Sequence, residues 1–424
     1  MTGDPAPDSV GRAGVDAAVA AAYRSDWGRI VATLIRITGD WSLAEDCAQE
    51  AFELALTRWG RDGTPRTPGA WLTTAARNRA IDRLRRASSE AFKLREIGIM
   101  DELDAWADGH EHDTDIEDDR LRLIFTCCHP ALLLDARVAL TLRTITGLST
   151  AEIAGAFLVQ EQAMSQRLVR ARRKIKNAGI PYRVPSGQLL GERLPGVLAV
   201  LYLLFTQGYS GVPNELADEA IRLTRLLARL MPDEPEVTGL LALMLLQHSR
   251  AAARVDGTGV PLSLEEQDRS WWDRAAIDEG VALLESALRR REPGGYQLQA
   301  AIAALHAQAA AAEHTDWAQI VQLYDQLLLR HPSPVIELNR AVAVGMLDGP
   351  AAGLAIVEAL APKLDGFYLV PATQAELLRR LGRAEEATER YRAAIALAPT
   401  EAERRFCGKR ISGLGGGSAT RRTP

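Results

Sequence analysis

Apolar and polar positions alternate with a period near 3.6 residues over most of the chain, the pattern of amphipathic helices. Between Val19 and Arg86, the recurrence of Ile30, Leu34 and Ile37 predicts a helix that stops at Gly39. Asp40-Trp41-Ser42 opens the next, with Ser42 as the expected cap and Glu45, three residues on, as its capping-box partner. This helix is predicted over 43–59, with Leu43, Cys47, Phe52 and Leu56 inward and Asp46, Gln49, Glu50 and Glu53 outward. A turn from Arg61 to Pro65 closes it. Thr67-Pro68 starts a third helix reaching about residue 87, with proline in the first turn, where its missing donor costs nothing. After an aperiodic stretch, helices are predicted over 120–128, 130–146, 150–157 and 160–177. Gly179-Ile180-Pro181 and Val184-Pro185 mark a boundary, and from 189 to 404 the pattern is helical throughout.

Internal repetition appears near the end of the chain. Counting from Gly382, Ala387, Tyr391, Ala394 and Pro399 fall at the packing offsets of a tetratricopeptide (TPR) helix pair. Tyr324 precedes Pro332 by the same interval as Tyr391 precedes Pro399. Residues 335–367 leave room for one more pair, and 273–293 suits a degraded copy. Such units bury their apolar faces only by stacking. The expectation is an all-α chain. It comprises a disordered tail (1–15), a helical bundle (16–90), an acidic linker (91–119), a helix-turn-helix domain (120–180), a helical connecting domain (186–260), TPR-like repeats (261–404) and a flexible tail (405–424).

Composition fits this outline: 47% hydrophobic, 25% charged and only 5% aromatic residues, in a chain rich in Ala, Leu and Arg, favour helix over strand. The net charge of −5 hides a segregation. Residues 77–95 carry seven Lys/Arg (Arg77, Arg79, Arg83, Arg85, Arg86, Lys93, Arg95), and 161–176 carry six. Between them, 101–119 holds ten acids and no Lys or Arg. Four cysteines form no disulfide framework; Cys127 and Cys128 are adjacent and lack zinc-site spacing, so no metal is expected. The opening residues have no apolar signal core and no run of 18 apolar residues occurs, so a cytoplasmic protein without a membrane partner is expected.

The second basic stretch carries the clearest chemistry. Ser149 and Glu152 form a capping box ahead of a short helix, and a turn after Phe157 leads into a second helix from Gln160 to Lys176. Ala163, Met164, Leu168, Ala171 and Ile175 are expected to face in, and Gln162, Gln166, Arg167, Arg170, Arg173 and Lys174 to face out. Helix-turn-helix motifs place such a second helix in the major groove, where Gln and Arg pair with base edges and further cations hold phosphates.

The residues Asp46, Gln49, Glu50 and Phe52, then Ala70-Trp71-Leu72, then Ala76-Arg77-Asn78-Arg79 with Asp82 and Arg85-Arg86, resemble region 2 of the extracytoplasmic-function (ECF) sigma factors. The run Arg167-Leu168-Val169-Arg170-Ala171-Arg172 resembles their region 4, and the long extension resembles that of the subgroup with a TPR-like C-terminal region. The resemblance spans about 20–178 and implies two partners, core RNA polymerase and promoter DNA. It implies that Asp46, Gln49, Glu50 and Glu53 dock on the polymerase. Arg77, Asn78, Arg79, Arg83, Arg85 and Arg86 would hold the melted −10 strand, with the loop at 61–67, and the second helix would read the −35 duplex. The acidic linker would either lie in the polymerase's positive RNA channel or serve as a solvated tether. The extension would regulate the sigma core in cis, with a protein or peptide on its repeats, or merely brace region 4. A helix-turn-helix repressor with a helical sensor is the alternative, but it has no use for the Arg77–Arg86 helix. No catalytic residue, phosphate loop or cofactor motif suggests an enzyme.

Overall fold

A computed structural model describes residues 7–91, 113–157, 159–185, 188–209 and 215–415. Among the described residues every regular element is helical, apart from one isolated bridge between Val255 and Pro261. The chain divides into two compact units, Met1–Leu223 and Thr224–Pro424.

The first unit opens with a bundle of α1 (Pro7–Thr38), α2 (Trp41–Asp62) and α3 (Pro68–Ala91), packed around Ile30, Val31, Leu34, Leu72 and Ala76. Gly39 stops α1 in the left-handed region, as its position predicts. The start of α2 differs from expectation. Asp40, not Ser42, is the cap: its carboxylate accepts from the Ser42 and Leu43 amides at 2.9 and 3.0 Å. Glu45 is therefore no capping-box partner, and it lies buried. The buried stripe of α2 runs Ala44, Ala48, Ala51, Ala55 and Trp59; Leu56, one residue past this stripe, is 47% exposed rather than inward.

Then follow α4 (Asp113–Cys127), α5 (Leu134–Thr141), α6 (Thr150–Ala156), α7 (Glu161–Asn177) and α8 (Gln188–Tyr209). Three segments expected to be irregular are partly helical. Residues 7–15 belong to α1, with Pro7 at its first position, and 113–119 belong to α4. The remainder of the acidic stretch, 92–112, lies outside the described residues. At the other end of the chain, 405–415 continue a helix in which Cys407 packs against Tyr391 and Ala394. The helix predicted from 130 begins instead at Leu134, behind a turn at Pro130, and ends in one π-helical turn, Leu142–Thr146. In α8 the segment Gln188–Thr206 is long and apolar enough to cross a membrane by length and composition. It carries Glu192-Arg193, and its Leu194, Val197, Leu201 and Phe205 are buried against the protein. It packs on α4 and α5, where the Arg193 guanidinium donates to the Phe125 carbonyl.

Helix α9 (Glu215–Leu230) runs across the boundary between units. The second unit continues with α10 (Pro235–His248), α11 (Arg274–Leu288), α12 (Gly295–Gln308), α13 (Trp317–Arg330) and α14 (Pro334–Leu347). It closes with α15 (Pro350–Leu360), α16 (Leu369–Arg380), α17 (Ala384–Leu397) and α18 (Glu401–Gly415). From α10 onward each helix packs on its chain neighbour, the arrangement of stacked helical pairs. Ala387, Tyr391 and Ala394 are buried.

The helical pattern breaks between α10 and α11. There the chain makes a 3₁₀ turn at Ala251–Ala253, the Val255–Pro261 bridge and a second 3₁₀ turn at Arg269–Trp271. The reason is local: Asp256 accepts from the Thr258 and Val260 amides at 2.9 and 3.0 Å, and Gly259 takes positive φ, a turn that competes with helix. Arg269 fastens this segment to the end of α12, donating to the His306 and Ala309 carbonyls at 2.7 Å each, with its guanidinium 4.4 Å from the Trp272 ring centre. Burial, with Arg250 and Arg269 nearby, pushes His306 down from its ordinary 6.5 to about 4. A histidine depressed by folding contributes stability that is complete above its unfolded pKa and is lost as pH falls towards the folded one. Denaturant unfolding should therefore show stability falling between pH 6.5 and 4, by on the order of 3 kcal/mol from this group. His306→Gln should flatten that slope; an unchanged slope would show that His306 is not its source.

Candidate functional site

The helix-turn-helix forms where the sequence places it. Ser149 Oγ accepts from the Glu152 amide at 3.2 Å and a Glu152 carboxylate oxygen accepts from the Ser149 amide at 2.7 Å, so both halves of the capping box are made. Met164, Leu168, Ala171 and Ile175 anchor α7; Ala163, expected inward, is exposed at the end of that stripe. Gln162, Gln166, Arg170, Arg173 and Lys174 are exposed on the outer side. Arg167 is half-buried instead: it lies 3.6 Å from Asp135 and over the Phe157 ring. The adjoining Cys127 and Cys128 are buried thiols; burial raises both, Cys128 to about 11, so each stays protonated packing.

On α2 and α3 the structure brings together two sets of residues that the sequence assigns to different partners. Asp46, Gln49 and Glu53 are exposed and Glu50 is half-buried, on the outer side of α2. From α3, Arg83 pairs with Glu50 and lies 3.5 Å from Asp46, while Arg79 lies 3.7 Å from Glu50. Gln49 donates to Glu53 at 3.1 Å, one turn on. Asn78, Arg85 and Arg86 are exposed and Arg77 is half-buried, while Lys93 and Arg95 lie outside the described residues. Trp71 packs edge-on against the buried Trp59, 5.6 Å between ring centres, and so belongs to the bundle.

The residue that sequence reasoning missed is Glu45. Its side chain is 7% exposed and receives Arg172 of α7 at 2.5 Å and Arg143 of the π-turn at 3.2 Å. One carboxylate of the bundle thus neutralises two cations of the helix-turn-helix half. The surrounding contact is extensive. Tyr23 Oη donates to the Gly147 carbonyl at 2.8 Å, and α1 comes so near the π-turn that a Cβ at Gly28 would strike the Ile145 carbonyl oxygen. Tyr182 Oη donates to the carbonyls of Ala32 and Asp119 at 2.9 and 3.2 Å. Asp119, 1% exposed, accepts from Arg36 at 2.9 Å and Arg122 at 2.8 Å; burial still pulls its carboxyl above the usual range. Glu45 had one signal: on α2 it falls in the row with the buried Ala48 and Phe52, where a charge needs a partner.

Comparisons with known proteins bear on the same segments. Residues 23–90 match Sigma-70 region 2, and 122–175 match Sigma-70, region 4. Residues 193–288 match a family of unknown function, DUF6596. An uncharacterized protein of Rhizobium meliloti is 46% identical over 399 residues, covering 91% of this chain and 93% of that protein. A probable ECF RNA polymerase sigma factor, SigI, of Mycobacterium tuberculosis is 29% identical over 177 residues, 40% of this chain and 58% of SigI.

Removing one partner of a buried ion pair strands the other charge and costs about 3–5 kcal/mol. Glu45→Gln, which keeps the volume, should therefore loosen the contact by about 3 kcal/mol, read as faster hydrogen exchange at 142–147 and a lower unfolding midpoint. Glu53→Gln, exposed on the same helix, is the control. Equal behaviour of the two variants would show that Glu45 does not hold the halves together.

Proposed function

The chain belongs to the ECF-type sigma factors, which direct RNA polymerase to promoters, and from that premise we propose how its parts divide the work. The exposed row on α7 carries the proposal for region 4: Gln162, Gln166, Arg170, Arg173 and Lys174 lie on one side of a helix whose other side is anchored. That row reads the −35 duplex, with glutamine and arginine on base edges and the remaining cations on phosphates. Arg167 joins them by leaving Asp135. Region 2 holds the melted −10 strand on α3 through Arg77, Asn78, Arg79, Arg83, Arg85 and Arg86. The outer carboxylates of α2 take the polymerase.

The ion pairs between α2 and α3 couple these two tasks. While Glu50 and Asp46 hold Arg83 and Arg79, those cations are less available to phosphate. Polymerase groups that claim the carboxylates release the arginines to DNA. The Glu45 contact has the same logic on a larger scale. With B-DNA rising 3.4 Å per base pair, the −10 and −35 elements lie about 85 Å apart. A compact body of about 180 residues has a radius of gyration near 16 Å and a diameter of about 40 Å. A closed first unit does not reach both elements, so engagement of the promoter separates Glu45 from Arg143 and Arg172.

The C-terminal helices have no base-reading row, and their stacked pairs suit a protein or peptide. We assign them a regulatory role in cis. The protein works in the cytoplasm, where polymerase and promoter are.

Two experiments test this reading. A tagged chain should retain core polymerase subunits from a lysate, and Asp46→Arg with Glu50→Arg should weaken retention by at least about tenfold while helical content stays the same. Undiminished retention would place the docking surface elsewhere. The second is a truncation after Tyr209, which keeps α8 on α4 and α5. It should change transcription from a cognate promoter relative to the full chain; identical output in vitro and in cells would end the regulatory assignment.

A further inference from the structure

We propose that the segment 251–273 is a built-in ligand of the C-terminal repeats: an acidic loop seated on Arg380, Lys409 and Arg410, a site that also takes an acidic peptide from a partner. The proposal rests on reading the repeats as a protein-binding surface, and it names the chemistry of what binds there.

The first observation is one of length and reach. Helices α10 and α11 pack directly on each other, and neighbours in a helical stack need connections of only about 2–8 residues. Here Ser249 to Asp273 intervene. The surplus chain does not stay beside its own helices. Asp256 accepts from Lys409 Nζ at 2.9 Å, across 153 residues of sequence. Glu266 accepts from both terminal nitrogens of Arg410, each at 3.0 Å. Glu265 accepts from Arg380 at 2.7 Å. Three carboxylates of one irregular segment thus meet three cations from α16 and α18, at the far end of the repeat array. Arg410 offers the two-pronged geometry that recognises carboxylate in general.

The second observation concerns how the segment is held. Val260 and Gln267 are 8% and 9% exposed and serve as anchors on either side of the acidic pair's approach. The ion pairs are partly open to solvent, one member of each more than the other: Lys409 is 54% exposed against 24% for Asp256, Glu265 40% against 27% for Arg380, and Glu266 37% against 18% for Arg410. Pairs with one member open to water are screened by salt and exchange for equivalent partners that keep the inner charge neutralised. The seat is also incompletely filled. A cavity of about 480 Å³ remains between Pro261 and Glu266 on one side and Phe406, Lys409, Arg410 and Leu414 on the other. An apolar floor beside Arg379, Lys409 and Arg410 accommodates an acidic peptide with a larger side chain next to its carboxylates.

The test uses a fluorescent peptide of residues 255–267 and the full chain. In one variant, Asp256→Asn, Glu265→Gln and Glu266→Gln together vacate the cations while Asn keeps the turn. The peptide should bind this variant about tenfold more tightly than the unaltered chain, and adding Lys409→Glu and Arg410→Glu should abolish binding. Equal affinity for the unaltered and neutralised chains, or binding indifferent to the charge reversal, overturns the proposal. A second readout needs no altered protein. Saturating peptide should speed hydrogen exchange across 255–267 while leaving α10 and α11 unchanged. Exchange there that ignores the peptide would show the segment to be a fixed strut. Both readouts are independent of transcription, so failure of the regulatory assignment and failure of this one are distinguishable.

Discussion

Arg143 and Arg172 approach one another at the contact between the two halves of the first unit, each only about a fifth exposed, and the carboxylate of Glu45 lies against both. Two guanidiniums so placed repel, and desolvation worsens the repulsion; a single buried anion turns the arrangement favourable. The rest of the contact is arranged around that point. Beside it Tyr23 stacks on Trp27 and meets Phe52 edge-on, Gly28 lets α1 approach the π-turn, and Tyr182 and Asp119 close the far side. An interface held by charge suits the opening proposed for promoter engagement. Separated ions recover their hydration, whereas separated apolar faces do not, so the ionic part of the interface opposes opening less than an equal area of leucine would.

The same economy operates between α2 and α3. Glu50 and Asp46 occupy Arg83 and Arg79. These pairs are partly exposed and individually weak. On the division of work proposed above, their value lies in exchange: each group has a partner in the closed chain and would take an equivalent one in the complex, so neither state strands a charge. Arg167 of α7 with Asp135 repeats the arrangement.

Most of the helices were legible because their causes are local. Gly39, the Ser149–Glu152 box, Pro68 and the 3.6-residue spacing of Met164, Leu168, Ala171 and Ile175 each act within a turn or two of chain. What escaped were choices decided at a distance or between near-equal local options. Asp40 and Ser42 are both good caps, and only the backbone decides that Asp40 takes the role; with it, Glu45 passes from a capping residue to a buried bridge. The outward residues of α2 and the basic residues of α3 were each legible, yet their mutual pairing depends on how the helices cross. The apolar spacing on both sides of the segment after α10 is helical and masks the turn that Asp256-Gly257-Thr258-Gly259 spells.

A protein that grips DNA while carrying a net charge of −5 needs an account of where its cations are kept. In the first unit Arg79, Arg83, Arg143, Arg167 and Arg172 each lie against a carboxylate of the same chain. In the second, Arg380, Lys409 and Arg410 do the same. Self-pairing of this kind lowers the long-range field of the free chain, and with it the non-specific attraction to any polyanion that an exposed basic surface would create. It also sets a threshold: a partner must offer its own charges in matching geometry before the intramolecular pairs give way. Specificity then comes from the sum of several weak exchanges made together, which a random stretch of nucleic acid or an arbitrary acidic protein does not satisfy.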